Sequence, residues 1–458
     1  MCLLLFISIL TLGGVTMPTL ELDPNKKYTM PHPVITVAID NKFLAIARET
    51  GNWVLLENNR QREIFDALSE GHRVAELFDL FSSDDRSNII RVLTEVEAKC
   101  FESTDIRYPQ QHGMYVYLTN RCNQRCQHCY MYAGTELDQE LSTDEIQSLL
   151  KNFSKCGGQV VTFTGGEATL RPDFIAIVQF AKEIGLQVCV LSNGLLWTDD
   201  LVNRVKTVVD EVQISIDGFD RESYQQVRGT DSFDKALSTV DKLVCAGIRT
   251  TVAVSPLLDT LLEHEQQYIT FAKEMTSRYS GKAFFVKFNT ELMEGRNVAP
   301  TESENRQYRE TSQRIKDICV PFAKEEGFAV DHADNTIFHN CGYGGITIAA
   351  NGDVYFCSIT AKCAKQANIR TESFESIFAK SKKAMELSDI SNLTPCNECP
   401  IKFLCGGGCR IKHFRELVET SVGDEVDHIR FVRNTSCTQE QKEKFYHLMV
   451  KANSLFYR

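Results

Sequence analysis

Three cysteines, Cys122, Cys126 and Cys129, share one short loop directly after the apolar, strand-like run 114–120. Three thiolates at this spacing can hold three irons of a cubane iron-sulfur cluster and leave the fourth iron open. An open iron can bind a further molecule, so the spacing predicts a cluster that acts on a substrate.

A zinc site is the alternative interpretation of this loop, because thiolates also bind zinc well. A structural zinc ion takes four ligands, and only three cysteines are local. His128 could supply the fourth, but its side chain belongs to the same short loop, which would be strained. The spacing therefore favours the cluster.

Composition excludes several classes of protein. The chain has 458 residues, 43% of them hydrophobic, so it can bury a real core, and its length suggests about three domains. The formal net charge of −11 leaves no basic surplus to neutralise phosphates, which argues against nucleic-acid binding. The 17 cysteines are too dilute for a disulfide-stapled scaffold, and most of them fall in two motif clusters. This distribution indicates metal ligation in the reducing cytoplasm.

The first residues of the sequence are apolar. The stretch 2–15 is too short for a bilayer span and lacks a charged segment before it, and Met17 offers another start. We interpret residues 1–16 as a mis-assigned start or a weak apolar head, with a signal segment as the alternative. We predict no stable membrane insertion.

Residues 17–108 have the pattern of a small α+β domain. Three short strand-like runs are separated by turn signals, and three runs with helical spacing follow. The strands are predicted at 34–39, 43–47 and 53–56, and the helices around 64–68, 74–81 and 89–96. The size fits a winged-helix-like unit, which ends at the linker 102–113.

Residues 109–310 alternate between strand-like and helical runs. The strands are predicted at 115–118, 160–164, 188–191, 212–216, 251–254 and 284–288. The first crossover helix begins with the capping-box pattern of Ser142 and Glu145. Six βα units predict an α/β fold with parallel strands, closed as a partial (β/α)6 barrel, and a doubly wound open sheet is the alternative.

Polar signatures follow successive strands of this predicted barrel. In parallel barrels the active site lies at the carboxyl ends of the strands. The cysteine triplet follows the first strand, and the later strands end in Thr164-Gly165-Gly166-Glu167, Ser192-Asn193-Gly194 and Asp217-Gly218. Four loops at one mouth predict a cofactor pocket.

The segment from Cys122 to Tyr130, together with Thr164-Gly165-Gly166-Glu167, resembles the core of the radical S-adenosylmethionine (SAM) enzymes over residues 112–310. The resemblance implies SAM and one [4Fe-4S] cluster as cofactors and a flavodoxin- or ferredoxin-type reductant. In that family the open iron is chelated by the amino and carboxylate groups of SAM, and the reduced cluster breaks a carbon-sulfur bond to give the 5'-deoxyadenosyl radical.

Seven further residues are candidates for SAM binding. Glycines let backbone carbonyls approach the methionine ammonium closely, and a nearby carboxylate adds charge complementarity. The resemblance implies polar contacts to the SAM ribose or methionine and one arginine partner for its carboxylate. Helix caps, turns and a solvated surface charge are the alternatives. The candidates are Gly165, Gly166, Glu167, Ser192, Asn193, Asp217 and Arg228.

Residues 311–458 are predicted as a cysteine-rich domain that needs metal to fold, followed by a C-terminal helix. Its motif cysteines are Cys341, Cys357, Cys396, Cys399, Cys405, Cys409 and Cys437. The pattern resembles the seven-cysteine SPASM extension, which implies two auxiliary [4Fe-4S] clusters. By that resemblance one cluster takes Cys341, Cys357 and Cys409, and the other takes Cys396, Cys399, Cys405 and Cys437. A zinc ribbon is the alternative.

Two four-iron clusters need eight protein ligands, and the motif supplies seven. The eighth ligand could be Cys319, His339 or Cys363, or one iron could be open. An open iron on the first auxiliary cluster could hold a substrate thiolate.

The front domain resembles the PqqD-like recognition element of enzymes that modify ribosomal peptides. The resemblance rests on element order and on the run 53–58 before the first helix. An edge strand beside a helix offers a groove where a leader peptide can add a strand through main-chain hydrogen bonds. A DNA-binding winged helix is the alternative, but residues 30–105 lack a basic patch.

The three parts together resemble radical SAM/SPASM peptide maturases, including the thioether-forming, sactipeptide-type enzymes. The expected function is oxidative cross-linking of a precursor peptide, such as a thioether bridge from cysteine sulfur to carbon. A peptide epimerase, a carbon-carbon cross-linking maturase and a formylglycine-generating sulfatase maturase are alternatives. A non-catalytic iron-sulfur peptide-binding protein represents a different class. The sequence assigns no catalytic acid or base.

Overall fold

The computed structural model describes residues 5–6, 21–104, 113–325, 341–360, 363–419, 428–434 and 437–456. The chain divides into two compact units. The first comprises Met1–Gln110, His332–Cys341 and Leu387–Arg458, and the second comprises Gln111–Asp331 and Gly342–Glu386. Most of the apolar start at 1–16 and most of the linker 102–113 lie outside the described residues.

The front part of the first unit contains the small α+β arrangement that the sequence predicts. Its strands are β1 (Leu5–Phe6), β2 (Glu21–Leu22), β3 (Val34–Ile39), β4 (Lys42–Ala47) and β5 (Trp53–Leu56), and its helices are α1 (Asn59–Ser69), α2 (Val74–Leu80) and α3 (Arg86–Ala98). Strands β3, β4 and β5 form an antiparallel sheet in sequence order. Asp40 and Asn41 have positive φ angles of 48° and 62°, as the two-residue turn between β3 and β4 requires.

One face of this sheet packs on the three helices. Alternate strand residues such as Ala45, Val54 and Leu56 are fully buried against Ile64 and Leu93 of the helices. Alternate residues of these strands point to opposite faces of the sheet. Both faces are apolar, because the second face is also buried.

The second unit is built on a nine-stranded mixed sheet. Its strands are β6 (Gly113–Tyr117), β7 (Val160–Thr164), β8 (Gln187–Ser192), β9 (Glu211–Ser215), β10 (Arg249–Val254), β11 (Phe284–Phe288), β12 (Ile346–Ile348), β13 (Asp353–Tyr355) and β14 (Ala367–Asn368). The order is β11-β10-β9-β8-β7-β6-β12-β13-β14. The six strands from β6 to β11 are parallel neighbours in sequence order, which confirms the α/β class.

Helices connect these strands and cover the sheet. They are α4 (Thr143–Lys155), α5 (Phe174–Glu183), α6 (Asp199–Val205), α7 (Arg221–Arg228), α8 (Phe233–Cys245), α9 (Leu258–Glu263), α10 (Glu265–Arg278), α11 (Glu302–Glu325) and α12 (Phe374–Leu387). The capping box of α4 is present: Glu145 N donates to Ser142 Oγ at 3.3 Å, and Ser142 N donates to Glu145 Oε2 at 2.8 Å. Parallel crossovers of this kind need a helix on the way back, which explains the alternation seen in the sequence.

The C-terminal part of the first unit consists of short elements and one long helix. These are β15 (Leu393–Thr394), α13 (Lys402–Cys405), α14 (Arg410–His413), β16 (Phe414–Glu419), β17 (His428–Arg433) and α15 (Gln439–Phe456). The second face of the front sheet contributes Leu44, Ile46 and Leu55 to an apolar cluster. The same cluster contains Ile401, Tyr446 and Met449. The front sheet and the C-terminal helix therefore share one core. No helix in the described part of the chain combines the length and apolar character needed to cross a membrane.

Candidate functional site

The cysteine loop that follows β6 is fixed by main-chain hydrogen bonds at both ends. Cys122 N donates to Gly134 O at 3.2 Å, and Gln127 N donates to Val227 O of helix α7 at 2.9 Å. The loop therefore lies between its own return segment and the end of α7, at the carboxyl end of the first parallel strand. This is the position that the strand-end rule predicts.

The three thiols of this loop are shielded from solvent to different degrees. Cys126 is buried, and Cys122 and Cys129 are half-buried. Burial raises the pKa of the Cys122 thiol to about 11, and the neighbouring Cys126 and Cys129 contribute in the same direction. Three thiols that influence one another in one loop form a donor set that fits a cubane cluster. Among the described residues, no group of three or more His, Cys, Asp and Glu side chains converges on a single-ion site.

The Gly-Gly-Glu segment after β7 lies against the start of the cysteine loop. Gly166 N donates to Thr119 O and Glu167 N donates to Arg121 O, both at 2.8 Å. A Cβ atom on Gly165 would lie 2.3 Å from Thr119 O, and one on Gly166 would lie 2.2 Å from Arg121 O. Any side chain at either position would therefore displace the loop backbone. The glycines have a structural task that the sequence interpretation, centred on SAM, did not include.

The carboxylate of Glu167 is only 1% exposed and is surrounded by donors. It accepts hydrogen bonds from Thr169 Oγ1 at 2.6 Å, Ser192 Oγ at 2.8 Å and Asn193 N at 2.7 Å. Asn193 in turn donates through Nδ2 to Asn123 Oδ1 of the cysteine loop at 2.7 Å. The structure thus brings these predicted site residues together, through contacts with one another. Their direct contact with SAM stays a prediction.

Asp217 and Arg228 form a second buried group that contacts the cysteine loop. Arg228 Nε lies 2.6 Å from Asp217 Oδ2, and Arg228 Nη1 donates to Cys126 Sγ at 3.5 Å. His128 Nε2 lies 2.9 Å from Asp217 Oδ2, and Ser255 N donates to Asp217 Oδ1 at 2.8 Å. Arg228 is therefore a buried ion-pair partner, which excludes the alternative of a solvated surface charge, and its predicted contact with the SAM carboxylate stays a prediction.

The charges of this pair reinforce each other. Burial by itself would raise the pKa of Asp217, but Arg228 and His128 hold that pKa below its ordinary value. Burial likewise opposes the charge on Arg228, but Asp217 and Cys126 raise its pKa. Both groups are consequently charged at neutral pH in the interior of the second unit.

Sequence reasoning missed two residues of this site. His128 was weighed only as a zinc ligand, whereas its ring contacts Asp217. Arg296 donates through Nη1 to Cys126 O at 3.2 Å and through its main-chain N to Cys129 O at 3.3 Å. No motif surrounds Arg296, so no local signal could have identified it. The strand-end rule placed Asp217 at the same mouth as the cysteine loop, but it does not identify His128 as the partner of Asp217.

Four of the C-terminal motif cysteines lie close together within the first unit. Burial raises the pKa of Cys396, with contributions from Cys399 and Cys437, while Arg433 opposes the shift. Burial also raises the pKa of Cys405, and the same three cysteines contribute. The four thiols that the family resemblance assigns to one auxiliary cluster are thus electrostatic neighbours.

The cysteines assigned to the other auxiliary cluster are divided between the two units. Cys341 and Cys409 both belong to the first unit, where their mutual hydrogen bond raises the pKa of Cys409. Cys357 belongs to the second unit, where its thiol influences the hydroxyl groups of Tyr117 and Tyr130. The assignment of these three cysteines to one cluster stays a prediction.

The candidates for an eighth ligand have distinct surroundings. Cys319 is half-buried and packs on the main apolar core, with Lys273 as a charged neighbour. Cys363 donates through Sγ to Ile359 O at 3.1 Å. His339 lies outside the described residues.

Two family models match the chain. Residues 116–272 match the Radical SAM superfamily, and residues 340–400 match SPASM, an iron-sulfur cluster-binding domain. The first match contains Cys122, Cys126 and Cys129, and the second begins just before Cys341. A radical SAM domain binds SAM and a [4Fe-4S] cluster, which agrees with the cofactors that the sequence predicts.

The names of the similar proteins refer to different products. The AdoMet-dependent heme synthase of Methanosarcina barkeri is 26% identical over 324 residues, covering 65% of this chain and 90% of the relative. The antilisterial bacteriocin subtilosin biosynthesis protein AlbA of Bacillus subtilis is 26% identical over 313 residues, covering 64% of this chain and 66% of the relative. The structure of native anSMEcpe with bound AdoMet has a TM-score of 0.56 at 17% identity and covers 75% of this chain and 98% of that one. The last comparison supports the fold.

Proposed function

We propose that this radical SAM enzyme modifies a ribosomally made precursor peptide by oxidative cross-linking, most simply by a thioether bridge from cysteine sulfur to carbon. The observation that supports the proposal most is that the small front sheet and six of the seven C-terminal motif cysteines occur in one compact unit. A unit that combines a peptide-binding sheet with auxiliary-cluster ligands is suited to an enzyme that binds a peptide and removes electrons from it. We place the reaction in the reducing cytoplasm.

The residues of the second unit would perform the radical part of this function. When bound, SAM and the reduced cluster supply a radical that abstracts a hydrogen atom from the substrate. Cys122, Cys126 and Cys129 would hold that cluster, and the contacts of Glu167 and Asn193 keep their loop in place. The C-terminal cysteines would hold the clusters that receive the electron removed from the peptide.

The front sheet would bind the leader segment of the precursor by adding it as a further strand. Strands β3 and β5 form the two edges of this sheet among the described residues. The main-chain N of Leu55 in β5 already donates to Glu95 of α3 at 3.4 Å, and Glu95 is fully buried. The β3 edge lacks such a contact in the described part of the chain, so we propose that the leader pairs with β3.

Relatives support both a peptide and a non-peptide substrate. AlbA takes part in bacteriocin biosynthesis, as its name says, and it matches about two thirds of each chain. The heme synthase match has the same identity and covers more of the relative, which favours modification of a porphyrin as the second candidate. The front sheet distinguishes the two, because a porphyrin requires no edge strand for recognition.

The decisive experiment uses anaerobically reconstituted protein, dithionite and SAM in deuterated water, with a candidate precursor peptide in one sample and an iron porphyrin in another. Formation of 5'-deoxyadenosine and a peptide lighter by two hydrogens would support the cross-linking maturase. A peptide that gains one deuterium would identify an epimerase. Turnover of the porphyrin alone would replace the peptide proposal.

A further inference from the structure

The buried pair Asp217 and Arg228 connects directly to a predicted cluster ligand. Asp217 is 1% exposed and Arg228 is 8% exposed. The guanidinium forms an ion pair with the carboxylate, with Nε 2.6 Å from Asp217 Oδ2, and its Nη1 donates to Cys126 Sγ at 3.5 Å. A fixed positive charge therefore lies within hydrogen-bond reach of one sulfur of the cysteine loop.

The carboxylate of Asp217 is itself fixed from several directions. Ser255 N donates to Oδ1, His128 lies against Oδ2, and Tyr268 Oη donates to the main-chain O of Asp217 at 3.0 Å. These contacts come from the end of β10, from the cysteine loop and from helix α10. The pair is thus positioned by rigid elements, and Arg228 has little freedom to turn away from Cys126.

We propose that Arg228, positioned by Asp217, sets the reduction potential of the cluster bound by Cys122, Cys126 and Cys129. A reduced cluster carries one more negative charge than the oxidised cluster. A hydrogen bond from a cation to a ligand sulfur stabilises the reduced form more, so the potential becomes less negative. Asp217 acts in the opposite direction by charge and keeps the guanidinium in place. Arg228 is in this sense the tuning residue, and Asp217 is the residue that positions it.

This role differs from the contact to the SAM carboxylate that the family resemblance implies for Arg228. The two roles separate when SAM is left out, because the cluster can be titrated without it. A SAM-binding arginine would change the affinity for SAM and leave the potential of the SAM-free cluster unaltered. An arginine bonded to Cys126 would change that potential directly.

The experiment is a redox titration of SAM-free, iron-reconstituted protein with dithionite, followed by electron paramagnetic resonance. We expect Arg228→Gln to make the midpoint potential of this cluster more negative. Each tenfold loss in the one-electron reduction equilibrium corresponds to a shift on the order of 59 mV. Arg228→Lys, which keeps the charge, should lie closer to the unaltered protein. Asp217→Asn keeps an oxygen that can hold Arg228 in place and removes the opposing negative charge, so it should move the midpoint to a less negative value.

Lys182→Gln is the matched control, since Lys182 forms an ion pair with Asp210 at 2.6 Å in the same unit without a contact to a motif cysteine in the described structure. Its midpoint should be unchanged. Unaltered midpoints in both Arg228→Gln and Asp217→Asn at full iron content would overturn the proposal, and a weaker SAM affinity alone would make Arg228 a SAM ligand. If Arg228→Gln fails to load iron, the midpoints of Arg228→Lys and Asp217→Asn decide.

Discussion

Two adjacent glycines illustrate how one residue type serves the site. Gly165 has a φ of 140°, which other residues rarely adopt, and Gly166 has a loop carbonyl where its Cβ would be. Both glycines permit the close contact between the Glu167 segment and the cysteine loop. At the residue scale, the site therefore requires glycine at these two positions, just as it requires cysteine at the three thiol positions.

Gly166→Ala should prevent correct closure of the cysteine loop, because the new Cβ would lie 2.2 Å from the main-chain oxygen of Arg121. We expect a large loss of iron from the SAM-binding cluster, measured as iron per chain and by electron paramagnetic resonance. Gly185→Ala is the control: it has a φ of 85° but no atom within 4 Å, so it should cost roughly 1 kcal/mol in stability and keep its iron. Equal iron in both variants would contradict the steric argument.

Cys126→Ala should remove the SAM-binding cluster, since three thiolates are the fewest that hold it in this loop. We expect a loss of about four irons per chain and no formation of 5'-deoxyadenosine from SAM. Cys245→Ala tests specificity, because Cys245 is exposed and lies outside both motifs. That variant should keep its iron and its SAM cleavage, and a similar loss in both variants would mean that iron loading does not depend on the motif.

At the scale of elements, helix α4 shows how a local signal is reinforced by a distant residue. The capping box of Ser142 and Glu145 begins the helix, and Arg370, far along the chain but in the same unit, donates through Nε to Glu145 Oε1 at 2.6 Å. The hydrogen bond from Arg370 is the main cause that lowers the pKa of Glu145 from 4.5 to about 2. The pair joins α4 to the segment after β14.

This shift predicts a pH dependence. Because the folded pKa of Glu145 lies below its ordinary value, its stabilisation is complete above about pH 4.5 and is lost as the pH falls toward about 2. Glu145→Gln should therefore reduce the free energy of unfolding by less than about 1 kcal/mol at neutral pH, since the pair is partly exposed. The difference, measured by urea denaturation, should shrink as the pH is lowered. Asp144→Asn, at an exposed neighbour on the same turn, is the control and should change the free energy of unfolding by less than about 0.5 kcal/mol at neutral pH.

At the scale of the whole molecule, the front domain and the C-terminal segment belong to one compact unit. The sequence suggests an independent domain at 17–108, whereas one face of its sheet is buried by Tyr446 and Met449 of helix α15. The half-buried Cys399 and Cys405 pack on the same cluster. Within this unit, the proposed leader-binding sheet and two auxiliary-cluster ligands share one apolar core.

Met449→Ala should loosen the front sheet, because Met449 is 5% exposed and packs on the same cluster as Ile46 and Leu55. We expect a cost of about 2–5 kcal/mol and faster hydrogen exchange in β4. Leu448→Ala on the same helix is the control, since Leu448 is 46% exposed and should change stability by less than about 0.5 kcal/mol. Unchanged exchange in β4 for Met449→Ala would show that α15 does not stabilise the sheet.

The sequence by itself determined the local features of this protein. Period-two and helical patterns located β3, β5 and the six parallel strands to within a few residues, because local backbone preference and burial act on neighbouring residues. The cysteine spacing and the strand-end positions also predicted side chains that the structure brings close together, since parallel strands bring their carboxyl ends together whatever the detailed packing.

Only the tertiary structure decided which side chains contact each other. The donors around Glu167, the Asp217–Arg228 pair beside Cys126 and the helix that covers the front sheet join residues far apart in the chain. No periodicity or motif encodes such pairings, because hydrogen-bond and packing partners depend on distances that arise after the chain has folded. The residue types predict the chemistry of the site. The groups that adjust this chemistry could be identified from three-dimensional contacts alone.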